Sequence, residues 1–132
     1  MTVGKSARYA LYAAMGLARA GPGGQVTSAE IAERYGIPTA VMAKVFQQLV
    51  RRGLAVGTRG PRGGYRLARK GSSITVLDVL DAFESARAPG SLGYDADGRL
   101  RRVFDEVDEL VRCTFASIAL DTLVGHRRAA GH

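Results

Sequence analysis

The pattern that most narrows the fold lies in residues 27–52, where two helical segments are separated by only a few residues. Thr27 and Glu30 have the spacing of a capping box. In that motif the Thr27 hydroxyl accepts a hydrogen bond from the Glu30 amide, and the Glu30 side chain accepts one from the Thr27 amide. Gly36 then permits the positive φ of a tight helix end. Pro38 allows a second helix to begin at once in a new direction and to continue to about residue 52. Two short helices joined in this way predict a helix-turn-helix unit.

The second helix of this unit has two distinct faces. Apolar residues recur at i, i+3, i+4 and i+7 and form the expected buried stripe: Met42, Val45, Phe46 and Leu49. The opposite face contains no acid and combines small side chains with amide and cationic donors, namely Ala40, Ala43, Lys44, Gln47 and Arg51. Such donors suit base edges and phosphates, although an ordinary solvent-facing helix surface would have the same period. Lys44 and Gln47 are the best candidates for base contacts.

A hairpin is predicted directly after this helix. Residues 54–59 and 65–67 are β-compatible, and the glycine-rich turn between them carries Arg59 and Arg62, with Arg66 and Arg69 behind. A hairpin in this position is a wing, whose arginines suit the negative potential of a narrow minor groove. The competing interpretation, a phosphate-cradling loop of a nucleotide enzyme, fails because neither GxGxxG nor GxxxxGK[ST] is present and the glycines lead into a strand.

Helices are also predicted on both sides of this region. Residues 6–20 are good helix formers ended by a Gly-Pro-Gly-Gly run, and Thr75 can cap a helix to about residue 85. After a loop at residues 88–98, residues 99–117 form the longest amphipathic pattern. The predicted fold class is therefore mainly α with a small β wing, with a winged helix-turn-helix domain at residues 1–70 and a linker helix, loop and long helix at residues 71–132.

Charge divides the chain at the same place. The 132 residues carry a net charge of +7, and residues 1–70 hold 12 cations against 2 acids, a balance of +10. Residues 71–132 hold 7 arginines against 10 acids, a balance of −3. This asymmetry favours a nucleic-acid partner, and an anionic membrane is the weaker alternative. The remaining interpretation is a solvated basic surface without a specific partner.

The residues at this point resemble a known family. Four segments resemble bacterial winged-helix regulators of the IscR, NsrR and CymR type, a family often written Rrf-two. The segments are Lys5-Ser6-Ala7-Arg8-Tyr9-Ala10-Leu11, Gly36-Ile37-Pro38, Arg52-Gly53-Leu54 and above all Arg59-Gly60-Pro61-Arg62-Gly63-Gly64-Tyr65-Arg66-Leu67-Ala68. The resemblance spans nearly the whole chain. It implies a homodimeric transcription factor whose third helix enters the major groove of double-stranded DNA and whose wing arginine, here Arg59, enters the minor groove.

The resemblance and the helix pattern together give two expected sets of site residues. The DNA-binding set is Thr27, Ser28, Thr39, Ala40, Lys44, Gln47, Gln48, Arg51, Arg59, Gly60, Arg62, Gly63, Gly64 and Tyr65. The long helix carries an apolar dimerisation stripe, Leu100, Val103, Phe104, Val107, Leu110, Val111, Thr114, Phe115 and Ile118, with Asp105, Glu106, Asp108, Glu109 and Arg112 lying away from it. A stripe of this length needs a partner, the alternative being packing onto its own domain.

The cysteine content departs from the best-known members of the family. Those members hold an iron–sulfur cluster through three cysteines in and around the loop before the long helix, whereas Cys113 is the only cysteine here and lies within that helix. One thiolate per chain cannot supply such a cluster, so no metal and no cofactor are expected. Cys113 is then either a buried small hydrophobe or a redox thiol.

The sequence thus predicts a sequence-specific repressor, cytoplasmic and without a membrane segment, that binds a palindromic operator as a homodimer. A small-molecule effector or partner protein would control it, and the junction around Phe83, residues 88–98 and Phe104 is the expected place. The alternatives are a redox switch through Cys113 and a protein-interaction subunit of the same fold. An enzyme is disfavoured, because the sequence offers no paired catalytic carboxylates and no nucleophile beside a base.

Overall fold

The computed structural model describes residues 4–61, 63–83 and 98–125. It confirms a mainly helical fold with a two-stranded antiparallel wing and a long helix near the C-terminal end. The elements in chain order are α1 (Lys5–Ala20), α2 (Ser28–Tyr35), α3 (Thr39–Arg51), β1 (Ala55–Thr58), β2 (Gly64–Leu67), a 3-10 turn (Gly71–Ser73), α4 (Val76–Phe83), α5 (Gly98–Ala116) and α6 (Leu120–Val124).

Two reciprocal caps begin helices where the sequence predicted them. The Glu30 amide donates to the Thr27 hydroxyl at 3.1 Å, and the Thr27 amide donates to the Glu30 carboxylate at 2.8 Å. Thr75 and Asp78 make the same pair of bonds at the start of α4, at 3.1 and 2.9 Å. Gly36 ends α2 with a φ of 67°, a left-handed conformation that glycine adopts without a steric cost.

Helices α1, α2 and α3 enclose the main core. The apolar stripe of α3 is buried as predicted, with Met42 and Phe46 fully inaccessible to solvent. Small residues on α1 allow its neighbours to approach closely, and a Cβ at Gly16 would overlap the Ile31 side chain of α2. Close helix packing of this kind depends on residues without bulk at the crossing point.

The C-terminal half of the chain completes this same core. Ile74, Val79 and Leu120 are buried together with residues of α1 to α3. The backbone of residues 74–76 bonds to that of residues 118–120, with Val76 donating to Ile118 at 2.8 Å and Leu120 donating to Ile74 at 2.9 Å. The division after residue 70 therefore separates the charges of the chain but does not divide its hydrophobic core.

The wing is anchored from two directions. Strand β1 pairs with β2 from Ala55 opposite Leu67 to Thr58 opposite Gly64. On its other edge, β2 exchanges two backbone hydrogen bonds with Val26, at 2.9 and 2.7 Å through Tyr65. These bonds fix the direction of β2 on both sides, so the turn between the strands projects from a supported base.

Helix α5 lies against its own chain along one side only. The Arg112 guanidinium bonds both carboxylate oxygens of Asp81 on α4, at 3.2 and 3.3 Å, and Phe115 packs against a small cluster around Val76 and Leu80. No residue of α5 is buried within the chain, and much of its apolar stripe faces solvent. Arg112, expected to lie away from that stripe, contacts α4 as Phe115 does.

Candidate nucleic-acid interface

The exposed face of α3 has the composition that the sequence predicted. Ala40, Lys44, Gln47 and Arg51 are all exposed, whereas Ala43 is half-buried at one margin. The whole helix, Thr39–Arg51, contains no acidic residue. Among the described residues no acid pairs with Lys44 or Arg51, so these cations are available to an anionic ligand. A face of this kind can contact phosphates and base edges together.

A groove of about 570 Å³ separates α3 from the wing. Gln47, Val50 and Arg51 line it on the helix side, and Thr58 and Arg59 line it on the wing side. Val50 was not among the predicted residues, but it is 38% exposed and borders the groove although it is apolar. Its position between the buried stripe and the polar face gave no signal by itself.

The turn at the wing tip depends on glycine at two positions. Gly60 has a φ of 107°, which side-chain-bearing residues rarely adopt, and the Gly63 amide donates to the Gly60 carbonyl at 2.8 Å. A Cβ at Gly63 would overlap the Thr58 carbonyl. This turn presents Arg59 to solvent, while Arg62 lies outside the described residues.

Other members of the predicted set lie at the base of the wing. The Tyr65 ring stacks on Phe46 with 4.6 Å between ring centroids, so one of its faces belongs to the core. Gly64 lies against Val26, where a Cβ would come within 2.8 Å of the Val26 carbonyl oxygen. Tyr65 and Gly64 also line the groove, and Tyr65 packs the base of the wing against α3.

Gln48 is oriented differently from the rest of the set. Its side-chain amide donates to the Ala82 carbonyl on α4 at 3.1 Å, and its side-chain oxygen accepts from Arg51 at 3.0 Å. Arg52 likewise donates to the Asp81 carbonyl at 3.1 Å. These bonds attach the C-terminal end of α3 to α4, a role that the helical period of α3 alone could not show.

The remaining predicted residues lie at helix starts. Thr27 and Ser28 are half-buried at the start of α2, where the Thr27 hydroxyl is used by the cap, and Thr39 is exposed at the start of α3. Helix N-termini present unpaired amides that suit phosphate oxygens. The structure thus brings the described residues of the predicted set to α3, the wing and the adjoining helix starts.

Comparison with known proteins identifies the chain. A model of the Rrf2 family, described as an iron-dependent transcriptional regulator, matches residues 3–126. The chain belongs to the Rrf2 family. It is accordingly a DNA-binding transcriptional regulator and not an enzyme.

Individual relatives agree with this assignment. BadM of Rhodopseudomonas palustris, named as an HTH-type transcriptional regulator, is 34% identical over 94% of this chain and 81% of its own length. IscR of Xenorhabdus nematophila is 31% identical over 94% of this chain and 79% of its own length. The solved structure of T. potens IscR superposes with a TM-score of 0.80 at 28% identity, covering 100% of this chain and 92% of that one. CymR of B. subtilis shows the same fold, with a TM-score of 0.84 at 22% identity over 96% of this chain and 98% of its own.

The donor set of this Rrf2 protein does not fit an iron–sulfur cluster held by thiolates. Cys113 is the only cysteine in the sequence, and such clusters are held mainly by several cysteines. Within residues 4–61, 63–83 and 98–125, no three His, Cys, Asp or Glu side chains gather in a way that could hold a metal ion. The family is described as iron-dependent, but this chain lacks the set of cysteine ligands that a thiolate-held cluster requires.

The thiol of Cys113 is exposed, so the expectation of a buried small hydrophobe is wrong. Cys113 follows Glu109 by one helical turn, and its Sγ donates to the Glu109 carboxylate at 3.4 Å. That hydrogen bond is the main cause that raises the pKa of the thiol, and the negative charge of Glu109 adds to it. Because the thiolate is the reactive form, this environment keeps Cys113 less reactive than an ordinary exposed cysteine.

The apolar stripe of α5 is divided between two environments. Phe104, Val111, Phe115 and Ile118 are half-buried. Leu100, Val103, Val107 and Leu110 are 45%, 49%, 42% and 68% exposed, and Thr114 is exposed beside them. Among the described helices, none combines the length and the apolarity that crossing a membrane requires.

Proposed function

We propose that this Rrf2 protein is a cytoplasmic, sequence-specific repressor that binds a palindromic operator as a homodimer and works without an iron–sulfur cluster. The observation that carries the DNA-binding part is the acid-free face of α3, which lies beside a wing that presents Arg59. The two surfaces flank one groove, so a single duplex can contact both. A protein-interaction subunit would not need an exposed arginine at the wing tip.

In the proposed complex, α3 lies in the major groove. Lys44 and Gln47 reach base edges, because both are exposed on the side of α3 that faces away from the core. Arg51 contacts a phosphate, since its guanidinium is already held by Gln48 near the end of the helix. Arg59 enters the adjacent minor groove, and Arg62 is proposed to assist it.

The proposed dimer forms through α5. Four large apolar side chains on one helix are each more than 40% exposed in the single chain. Covering them with the same stripe of a second copy removes apolar surface from water and gives a C2 arrangement. A two-fold dimer would place two α3 helices on one side of a duplex.

Regulation in the proposal comes from a ligand or a partner protein and not from a cluster, because one cysteine per chain does not supply the ligands. A redox switch through Cys113 is the weaker explanation. The thiol is accessible, but its hydrogen bond to Glu109 favours the protonated form.

Operator selection followed by titration tests the proposal. Selection from random duplexes should yield a sequence with dyad symmetry and half-sites about one helical turn apart, or a multiple of that spacing. The full palindrome should then bind much more tightly than a single half-site. Equal affinity for the two duplexes would contradict operator binding by a dimer, and no enrichment of any sequence would contradict specific recognition.

A further inference from the structure

A second cleft borders the C-terminal end of strand β2, whereas the α3 groove borders its N-terminal end. It is an open cleft of about 930 Å³ between the C-terminal end of α1, strand β2 and the start of α6. Ala18, Pro22, Leu67 and Ala68 supply apolar surface. A concave, largely apolar space of this size with a few polar groups has the usual character of a small-molecule site.

Three cations border the cleft. Arg66, Arg69 and Lys70 are all exposed and belong to one short segment that begins in β2. Among the described residues, no carboxylate pairs with any of the three. Unpaired cations beside apolar surface favour an organic anion.

One acid also borders the cleft. Asp121 is half-buried at the start of α6, and its carboxylate lies directly against Gly71, where any Cβ would overlap it. The buried glycine therefore allows the carboxylate to remain in this position. A carboxylate within an otherwise cationic cleft accepts a hydrogen bond from a donor on the ligand.

We propose that this cleft binds a small hydroxylated organic acid. The carboxylates of the ligand contact Arg66, Arg69 and Lys70, its hydroxyl donates to Asp121, and its carbon skeleton lies on the apolar surface. This site goes beyond the proposed operator binding. Because Gly64 and Tyr65 of β2 line the α3 groove while Arg66 and Leu67 line the cleft, an occupant of the cleft contacts the strand that supports the wing.

The shape of the cleft favours a small molecule over a DNA phosphate. A duplex contacts protruding cations along its backbone and does not fill an apolar recess that also contains a carboxylate. The α3 groove lacks any acid among its lining residues and suits that partner better.

Citrate and tricarballylate are matched probes for this site. They carry the same three carboxylates, but only citrate has a hydroxyl. In a titration of the full-length 15N-labelled chain, citrate should shift the amides of Leu67, Gly71 and Gln25, which all line the cleft, with a Kd of about 1 mM or tighter. Tricarballylate should bind about fivefold or more weakly, because it cannot donate to Asp121. Substituting Asp121→Ala should remove that difference.

Charge variants distinguish a site from general attraction. The double variant Arg69→Gln, Lys70→Gln should raise the citrate Kd about tenfold or more. Lys5→Gln, Arg8→Gln removes the same charge at the far end of α1 and should change the Kd by less than about twofold. The spectrum of each variant without ligand checks that its fold is kept.

Three results would overturn the proposal. The first is no shift at the cleft amides up to about 20 mM citrate. The second is an equal loss of affinity in both charge variants, which would indicate a diffuse surface effect. The third is a shift of the cleft amides by operator duplex and not by citrate, which would make the cleft a DNA backbone contact. Failure to bind any operator would contradict the proposed function without affecting the citrate result.

Discussion

Arg59 and Arg51 are both exposed cations on the same groove, but their local surroundings differ. The Arg51 guanidinium donates to the Gln48 side-chain oxygen at 3.0 Å near the end of α3. Arg59 projects from the turn of the wing, beyond strand β1, and has no partner among the described residues. A held cation suits a phosphate, whose position is the same in every sequence, whereas a projecting arginine suits a narrow minor groove.

The first residue-scale prediction follows from that difference. Arg59→Ala should weaken binding to the selected operator by about 1–3 kcal/mol and reduce discrimination against other sequences. Arg51→Ala should weaken binding to all duplexes and lower the salt slope by about one unit. Fluorescence anisotropy with operator and scrambled duplexes at several salt concentrations measures both effects. If Arg59→Ala bound the operator as tightly as the parent, the assigned role of the wing would be wrong.

Cys113 gives a second prediction at this scale. The carboxylate of Glu109 raises the pKa of the thiol, so at a given pH the thiolate fraction is smaller than for an unperturbed cysteine. Glu109→Ala removes the acceptor and its charge, and it should therefore speed alkylation by iodoacetamide near pH 8. Glu106→Ala, also an acid on α5, should leave the alkylation rate close to that of the parent. An unchanged rate in Glu109→Ala would show that the hydrogen bond does not control the thiol.

At the scale of elements, the sequence predicted the helices well because their ends are local events. The two reciprocal caps, Gly36 and the glycine run after α1 placed helix bounds within one or two residues of those in the structure. Contacts between distant segments gave no such local signal. The pairing of Val26 with β2 was missed for this reason. The short helix α6 was also missed, because its five residues are too few to show a helical period.

The candidate site shows the same limit. The exposed face of α3 followed from its period, but period could not show that Gln48 bonds to α4 or that Tyr65 packs on Phe46. Both side chains point where the neighbouring element directs them. The orientation of such a side chain is therefore set by the residues that it contacts, and those residues are distant in sequence.

Helix α5 gives the prediction that belongs to this scale. Leu110 is 68% exposed in the single chain, so Leu110→Asp removes little packing within a protomer but places a charge in the proposed dimer contact. The variant should sediment as a folded monomer and bind the palindrome no better than a half-site. Glu109→Lys, which changes a neighbouring exposed residue outside the stripe, should remain dimeric. A dimer that persists in Leu110→Asp would place the interface elsewhere.

At the scale of the whole molecule, charge and packing divide the chain differently. The excess of cations lies in residues 1–70, which hold the proposed operator-binding surface. The core that supports this surface includes Ile74, Val79 and Leu120 from beyond that boundary. The packing that supports α3 and the wing therefore reaches α6, and we expect a change near the C-terminal end of the described chain to affect the proposed DNA-binding surface.

Leu120 provides the test of that coupling. It is fully buried between α1 and the segment before α4, whereas Leu123, one turn later on α6, is 41% exposed. Leu120→Ala should lower the free energy of unfolding by about 2–5 kcal/mol, because it removes buried methyl groups and leaves a cavity. Leu123→Ala should lower it by less than about 1 kcal/mol. Urea unfolding followed both by circular dichroism and by Tyr65 fluorescence, in variants that keep Tyr65 as the only tyrosine, should show one coincident transition for each protein. If residues 1–70 folded as an independent unit, Leu120→Ala would leave the Tyr65 fluorescence transition unchanged. Only the circular dichroism transition of the helices in the rest of the chain would shift.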